Sequence, residues 1–252
     1  MTHAERLVAL ETIAAEVRTC TRCRLADGRT NAVPGEGSPD TEVVLVGEAP
    51  GFNEDRLGRP FIGRAGDLLV KLLGSIEWRR EDVFITNVVK CRPPDNRDPE
   101  ADEVAACAPY LERQLEVLDP ALIVTLGRHS MGRFMPGARI SQAHGTIGAV
   151  DPASGARDAT VFAMYHPAAA LRGAEVERQS YEDVAKVPQV LLDVRERRST
   201  TSPAAAARAD IGPVAVPSAI AAATLPPGAA HPVAAGSNPH PVAEPTADIT
   251  IF

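Results

Sequence analysis

The chain is 252 residues long, carries a formal net charge of −7, and contains 44% hydrophobic but only 4% aromatic residues. This length accommodates one large domain or two small ones, with enough apolar side chains for a core. No run of about 18 apolar residues occurs, which excludes a transmembrane helix, and the polar Met1–Leu10 segment argues against a secretory signal. We therefore expect a cytoplasmic protein that associates with no membrane.

The acidic balance of the whole chain argues mildly against a nucleic-acid partner. Basic side chains nevertheless cluster in two short segments, Arg56, Arg59, Arg64 and Lys90, Arg92, Arg97. A local basic face on an acidic protein is therefore compatible with this sequence.

A change of composition near Arg198 predicts a domain at residues 1–198 and a tail at residues 199–252. Ala, Pro, Val, Gly, Ser and Thr dominate Ser199–Asp248, and this segment has no apolar periodicity. Such a segment buries too little apolar surface to offset the entropy lost on ordering. We predict that the tail is disordered.

Short β-branched runs alternate with helical patterns along the domain. The predicted helices are Ala4–Thr19, Ala65–Leu73, Pro99–Leu118, Arg128–Met135 and Tyr181–Arg195, and the predicted strands are Glu42–Val46, Val83–Val88, Leu122–Leu126 and Thr160–Met164. This alternation predicts an α/β fold with a parallel sheet between two layers of helices.

Three of these strands run directly into unusual motifs. Glu42–Val46 precedes Gly47–Gly51, the strand at Val83 leads to Asn87, and Thr160–Met164 precedes Tyr165-His166-Pro167. Ligand sites of parallel sheets form at the carboxyl ends of the strands. The three motifs therefore predict one site at that edge.

The four cysteines suggest a metal site. Cys20 and Cys23 form a Cys-x2-Cys pair, and Cys91 and Cys107 are the other two. The absence of an export signal argues against disulfides, whereas one four-thiolate site accounts for all four. Zinc and a [4Fe–4S] cluster both accept four thiolates, and the spacing alone does not decide between them. The alternative is that Cys107 packs in the core and Cys91 is a loop thiol.

The motifs, taken together, resemble those of family 4 uracil-DNA glycosylases, the iron–sulfur branch of the uracil-DNA glycosylase superfamily. The matching segments, in order, are Cys20–Cys23, Gly47–Gly51, Gly58–Gly66, Ile85–Pro94, Asn96–Pro99, Leu126–Gly127 and Tyr165–Ala168. The resemblance covers roughly the first two hundred residues. It implies a three-layer α/β/α domain with a four-stranded parallel sheet and a [4Fe–4S] cluster on Cys20, Cys23, Cys91 and Cys107.

One departure separates this chain from a related branch that becomes covalently trapped on uracil DNA. That branch has a Gly-Glu-Gln-Pro-Gly motif and a basic insertion that contains a histidine. Here the third position of the motif is Ala49, and Arg92–Asp98 contains no histidine. The sequence therefore resembles the enzyme that turns over.

The implied reaction breaks the bond between N1 of uracil and C1′ of deoxyribose after the base has left the helix. Asn87 suits the recognition of the base, because a carboxamide offers a donor to O4 and an acceptor to N3–H. His166 suits a donor that stabilises the departing uracil anion. Glu48 suits an anion that supports the sugar cation and positions the attacking water, with Asp55 as a second candidate for the water.

Further residues are assigned to substrate binding by the resemblance. Phe61 is expected to stack on the flipped base, Glu54 to exclude the thymine methyl, Leu171 to fill the gap in the helix and Arg172 to contact a phosphate. Ala49 belongs to the same binding motif. Arg64, Lys90 and Arg92 are further candidates for backbone contacts, whereas His129 and His144 are interpreted as structural or facing solvent.

Three alternatives remain open on the sequence: a glycosylase for another deaminated base such as hypoxanthine, an iron–sulfur nucleic-acid-binding module without catalysis, and a zinc scaffold. We expect a monomer that binds uracil-containing DNA, single- or double-stranded. The terminal Asp248–Phe252 resembles pentapeptides that bind the bacterial sliding clamp, and loosely the tail of single-stranded DNA-binding proteins. The alternative is a frayed end or a segment that packs on its own domain.

Overall fold

The structure, a computed structural model, describes residues 1–151 and 154–201. The predictions for residues 202–252, including the clamp-like peptide at Asp248–Phe252, lie outside the described residues. The last described helix is Val187–Thr201, so the predicted domain boundary at Arg198 falls inside a helix. Within the described residues, no helix has both the length and the apolar character needed to cross a membrane.

A six-stranded sheet forms the centre of the domain. Its strands are β1 (Glu36–Gly37), β2 (Val43–Gly47), β3 (Phe84–Asn87), β4 (Leu122–Leu126), β5 (Ile147–Ala149) and β6 (Thr160–Met164). They lie in the order β1-β3-β2-β4-β6-β5, in which the four middle strands are parallel and the two edge strands are antiparallel to their neighbours.

The predicted α/β class is confirmed, whereas the predicted number of four strands is wrong. The four predicted strands are the parallel centre of the sheet. The edge strands β1 and β5 have only two and three residues. Segments this short carry no recognisable alternation of apolar residues, so the sequence gives no signal for them.

Ten α-helices accompany the sheet in the described part of the chain. They are α1 (His3–Thr19), α2 (Leu25–Gly28), α3 (Phe52–Leu57), α4 (Arg64–Gly74), α5 (Ala101–Leu118), α6 (Arg128–Phe134), α7 (Ile140–Ala143), α8 (Pro167–Ala170), α9 (Ala174–Val184) and α10 (Val187–Thr201). The single helix predicted at Tyr181–Arg195 is wrong, because α9 ends at Val184 and α10 begins at Val187. Pro188 lies in the first turn of α10, where its missing N–H costs no helical hydrogen bond.

Two apolar layers hold the helices against the sheet. Alternate strand residues point to opposite faces, so Val44 and Val46 pack in the layer that contains α1 and α5, while Val43 and Leu45 pack in the layer that contains α4, α9 and α10. Every residue of β2, β3, β4 and β6 is buried. Burial on both faces is typical of a parallel sheet covered by helices on both sides.

The parallel strands end together and so define one edge of the sheet. Gly47 pairs with Asn87, and Leu126 pairs with Met164. The residues that follow these strand ends, Glu48, Gly127 and the Tyr165-His166 pair, therefore enter the same region of space. This edge is where a ligand site of such a sheet is expected.

Candidate active site

A cavity of about 570 Å³ opens at the carboxyl edge of the sheet. This volume lies within the range of small-molecule sites, about 300–1,000 Å³. The predicted site residues that line it are Glu48, Ala49, Glu54, Phe61, Asn87, His166 and Arg172. Leu171 does not line the cavity, but it precedes Arg172 and is 39% exposed.

Asn87 ends β3 with its side chain buried at the cavity. Its Oδ1 atom is buried and accepts no hydrogen bond from the protein. Buried polar atoms almost always have partners, so an acceptor without one at a cavity indicates a ligand donor. Gly47 makes room for it, since a Cβ there would lie 2.3 Å from Asn87 Oδ1.

His166 follows β6 and begins α8. The main-chain N–H of Ala168 donates to His166 Nδ1 over 3.1 Å, so the proton of the neutral ring is on Nε2. Burial, together with Arg172, lowers the pKa of His166 to about 4, against a smaller opposing effect of Glu54. The ring is therefore a neutral Nε2–H donor at pH 7. Gly127 allows this approach, since a Cβ there would lie 2.9 Å from His166 Cβ.

Phe61 presents its ring to the same cavity from a constrained loop. Its φ of 49° lies in the left-handed region, which costs a non-glycine residue of order 1 kcal/mol. Arg80 Nη1 donates to the carbonyl oxygen of Phe61 over 2.8 Å and holds the loop. The Phe61 and His166 rings are stacked, with centroids 5.6 Å apart.

The acidic residues of α3 hold neighbouring loops. Glu54 Oε1 accepts the N–H groups of Ile62 and Gly63, each over 2.9 Å, next to Phe61. Glu54 therefore anchors the Phe61 loop while lining the cavity. The Asp55 carboxylate is buried and accepts the N–H of Thr30 through both oxygens, at 2.9 and 3.1 Å. Asp55 does not line the cavity, so the candidate for positioning water is Glu48.

Glu48 has a neighbour that the sequence interpretation missed. His129 Nε2 lies 3.8 Å from Glu48 Oε2 and 3.3 Å from Asp98 Oδ1. The interpretation of His129 as structural or facing solvent stays a prediction, and its side chain is 28% exposed. Burial raises the pKa of Glu48. Among the nearby charges, His129 and Arg128 lower this pKa and Asp98 raises it. The position of His129 in the sequence could have indicated that it lies near the site, because it comes two residues after Gly127 at the end of β4.

The four cysteines lie around a second, small cavity. Cys20, Cys23, Cys91 and Cys107 all line it, although Cys20 and Cys107 are 87 residues apart (107 − 20) in the chain. All four are free thiols. The arrangement supports one shared site rather than a core residue and an isolated loop thiol.

Three of the four sulfurs accept N–H donors. Arg29 Nη1 donates to Cys91 over 3.1 Å, the main-chain N–H of Lys90 donates to Cys107 over 3.3 Å, and that of Arg22 donates to Cys20 over 3.5 Å. Burial raises the pKa of the Cys107 thiol to about 11. A bound metal displaces such protons, and N–H donors stabilise the resulting thiolates.

The family model of the uracil DNA glycosylase superfamily matches residues 34–187. The chain belongs to the uracil-DNA glycosylase superfamily. It is 47% identical over 190 residues to the type-4 uracil-DNA glycosylase of Sulfurisphaera tokodaii, covering 73% of this chain and 86% of that protein. It is 48% identical over 188 residues to the type-4 enzyme of Saccharolobus solfataricus, covering 72% and 86%.

The resemblance to type-5 members is weaker. A type-5 uracil-DNA glycosylase of Thermus thermophilus is 33% identical over 187 residues, which cover 60% of this chain and 84% of that protein. The predicted resemblance to the type-4 branch is confirmed. The part matched by the superfamily contains all the cavity residues described above and Cys91 and Cys107, whereas Cys20 and Cys23 precede it.

The structure corrects one of the predicted DNA contacts of this glycosylase-family chain. Lys90 is only 1% exposed, so its side chain cannot reach a phosphate. Its ammonium instead contacts Thr86, Asn87 and Gln114 inside the domain. Arg64 is exposed, and Arg92 is partly exposed with its guanidinium over the Phe52 ring. Both stay predictions as contacts to DNA.

Proposed function

We propose that this chain is a monofunctional uracil-DNA glycosylase that hydrolyses the bond between uracil N1 and deoxyribose C1′ and leaves an abasic site. The observation that carries the proposal is the pairing of an unpartnered acceptor, Asn87 Oδ1, with a neutral donor, His166 Nε2–H, at one cavity. Uracil has a donor at N3 and an acceptor at O2, which complement these two groups.

Recognition of the base rests on Asn87. Uracil N3–H donates to Oδ1 and uracil O4 accepts from the Asn87 amide. Cytosine has no proton on N3 and carries a donor at position 4, so it leaves Oδ1 buried and unpaired as long as neighbouring groups keep the amide from flipping, because the flipped amide fits cytosine. A site built around such bonds rejects the mismatched base by as much as about 10⁴-fold. Phe61 stacks on the base, and the role of Glu54 against the thymine methyl stays a prediction.

Catalysis follows the charges that develop as the bond breaks. The electron pair of the N1–C1′ bond leaves with uracil, and the His166 Nε2–H stabilises the anion at O2. The sugar becomes cationic, and the Glu48 carboxylate stabilises it and orients a water whose oxygen bonds to C1′. The water proton passes to solvent or to the released base. A strong base is not required, because the bond to uracil is largely broken before the water attacks.

The four cysteines are proposed to hold a [4Fe–4S] cluster. A single zinc ion with Zn–S bonds of about 2.3 Å brings tetrahedral sulfurs about 3.8 Å apart. Among the described residues, only Glu48, Asp98 and His129 bring three ligand atoms within 4.8 Å of one another, so no three of the cysteine sulfurs are that close. This wider spacing of the sulfur atoms supports a multinuclear cluster rather than a single zinc ion. The cluster supplies a structural link between the N-terminal segment and α5, and the catalytic groups are elsewhere.

The remaining predicted contacts concern DNA. Leu171 and Arg172 lie at the end of α8 beside the cavity, which supports a wedge and a phosphate contact. The expected monomer and the cytoplasmic, nucleoid-associated location stay predictions. A clamp-binding role for Asp248–Phe252 also stays a prediction, and deletion of those residues should abolish clamp binding while uracil release from free oligonucleotides is unchanged.

The proposed activity is tested by base release from end-labelled oligonucleotides that carry uracil, cytosine, thymine or hypoxanthine at one position. We expect release of uracil alone, from single strands or duplexes, with an abasic product that breaks only on alkaline treatment. Release of hypoxanthine in preference to uracil would assign another deaminated base. DNA binding without release of any base would assign a non-catalytic module.

A further inference from the structure

Glu48 lines two cavities. One is the cavity that contains Asn87 and His166, and Glu48 lines it together with Asp98 and Arg128. The other, of about 320 Å³, is lined by Glu48 and His129 but not by Asn87 or His166. His129 therefore shares the second cavity with Glu48 and does not line the first.

His129 Nε2 is the centre of a compact group of charges. It lies 2.8 Å from Arg128 Nε, 3.3 Å from Asp98 Oδ1 and 3.8 Å from Glu48 Oε2. Arg128 and Asp98 also form an ion pair. A neutral ring accepts the Arg128 N–H at Nε2, whereas a protonated ring presents a positive charge to both carboxylates.

The fold fixes this group in place. α6 begins immediately after Gly127, so Arg128 and His129 enter at the end of β4, beside the end of β2 that carries Glu48. The side chains of Glu48 and His129 are both about one-quarter exposed, 27% and 28%. At that exposure a charge a few ångströms away is only partly screened by solvent.

We propose that His129, flanked by Asp98 and Arg128, is a positioning residue that sets the charge state and orientation of Glu48 from the second cavity. The inference rests on the proposed function, in which an ionised Glu48 supports the sugar cation. His129 does not line the cavity proposed for the base, and its charge lowers the pKa of Glu48 and, as the smallest of the causes there, that of His166.

Other ionisable groups also face Glu48 across the two cavities. Glu54, Arg97, Tyr165, His166 and Arg172 line the first cavity. Arg133 and Asp151 line the second. Burial has the largest effect on the pKa of Glu48 and raises it. The nearby charges that perturb this pKa are His129, Asp98 and Arg128.

The direction of the effect differs between the flanking groups. Uracil release falls at low pH as Glu48 gains a proton. Protonated His129 favours the ionised carboxylate, so His129→Gln raises the pKa of Glu48 and moves the acid limb to higher pH. Asp98 disfavours the ionised carboxylate, so Asp98→Asn lowers the pKa of Glu48 and moves the acid limb to lower pH. Because the group is partly exposed, we expect shifts on the order of half a pH unit in each direction.

The experiment measures single-turnover uracil release against pH for the full-length, cluster-containing protein, the two variants and a control, His3→Gln. His3 pairs with Asp40 at an exposed site outside both cavities, so its loss should leave the profile unchanged. Opposite shifts of the two acid limbs support the inference. Unshifted limbs, or shifts in the same direction, overturn it.

A second measurement separates this inference from the proposed activity. The Glu48 carboxyl carbon is titrated by ¹³C NMR in the free protein, where no substrate is needed. The same opposite shifts of the Glu48 midpoint are expected, even if no uracil is released. Asp98 is 56% exposed, so Asp98→Asn decides the matter if His129→Gln fails to fold.

Discussion

The side-chain ammonium of Lys90 donates to the main-chain carbonyl oxygen of Asn87 over 2.8 Å. The same ammonium donates to Thr86 Oγ1 over 2.6 Å and to Gln114 Oε1 over 2.7 Å. All of these residues are at most 2% exposed. The bonds connect the end of β3, which carries the proposed base-recognition residue Asn87, to α5, which also carries Cys107.

Lys90→Met is expected to destabilise the domain and to slow uracil release. Methionine keeps most of the volume but leaves buried acceptors without their donor, each at a cost of about 1–3 kcal/mol. Loosening of Asn87 should lower the release rate by about tenfold or more. Denaturant unfolding and single-turnover rates measure both effects. Lys71→Met, at an exposed position of α4, is the control; if it matches Lys90→Met, the buried network is not the cause.

Asn87→Ala and His166→Ala should each lose most uracil release while the protein folds and keeps its cluster. Loss of the His166 donor alone should cost roughly 10²–10³ in rate. Circular dichroism, iron content and visible absorbance report folding and the cluster, and oligonucleotide cleavage reports release. His3→Ala provides a histidine deletion outside the cavity. Near-normal turnover in either active-site variant would contradict the assignment.

The protonation of His166 can be tested without substrate. Because Ala168 donates to Nδ1, the ¹⁵N spectrum should show a neutral ring protonated at Nε2 between pH 6 and 8. Its pKa should be near 4, and Arg172→Gln should raise it, since Arg172 lowers it in the native protein. A midpoint near 6.5, the value for an unperturbed histidine, would remove the argument for a neutral donor.

The sequence predicted the centre of this fold because buried parallel strands appear as continuous apolar runs. It predicted the site because motifs at the carboxyl ends of such strands must meet, as Glu48, Asn87 and His166 do. The short edge strands β1 and β5 carry no comparable signal. The break between α9 and α10 was missed because both helices pack on the same face and share one apolar pattern.

Residue type was misleading where tertiary contacts decide the role. Lysine is rarely buried, so Lys90 was assigned to the surface, although three acceptors compensate its burial. His129 follows a strand end just as His166 does and comes after the Leu126–Gly127 match, but this short segment does not show that His129 lies beside Glu48 and Asp98. Glu54 lines the cavity and Asp55 does not. The two residues are adjacent on α3, so their spacing in the sequence does not show which side chain points toward the cavity.

Cys107→Ala should weaken or abolish the cluster and destabilise the domain. Cys107 is on α5, and the cluster would link it to Cys20 and Cys23 between α1 and α2. Iron content, visible absorbance and thermal unfolding measure the effect. Ala105→Ser, at an exposed position of the same helix outside the cysteine cavity, should retain iron. Unchanged iron in Cys107→Ala would show that this cysteine is not a ligand.

Glu103 should make the domain sensitive to acid. Hydrogen bonds from Arg97 lower the pKa of Glu103 to about 2, against an opposing effect of burial, and the Glu100 N–H and Arg24 lower it further. Because the folded pKa is below the unfolded one, this stabilisation is complete above about pH 5 and is lost as the pH falls from about 4.5 to about 2. With partly exposed arginine partners, we expect a contribution of about 2 kcal/mol at pH 7.

Glu103→Gln tests this, because glutamine keeps the shape of the side chain but not its charge. The difference in unfolding free energy between wild type and Glu103→Gln should be largest at pH 7 and should shrink as the pH falls below about 4.5. Denaturant unfolding at several pH values measures it. Glu116→Gln, at an exposed position of the same helix, controls for the general loss of a negative charge. A difference that is constant with pH would mean that packing, rather than ionisation, accounts for the role of Glu103.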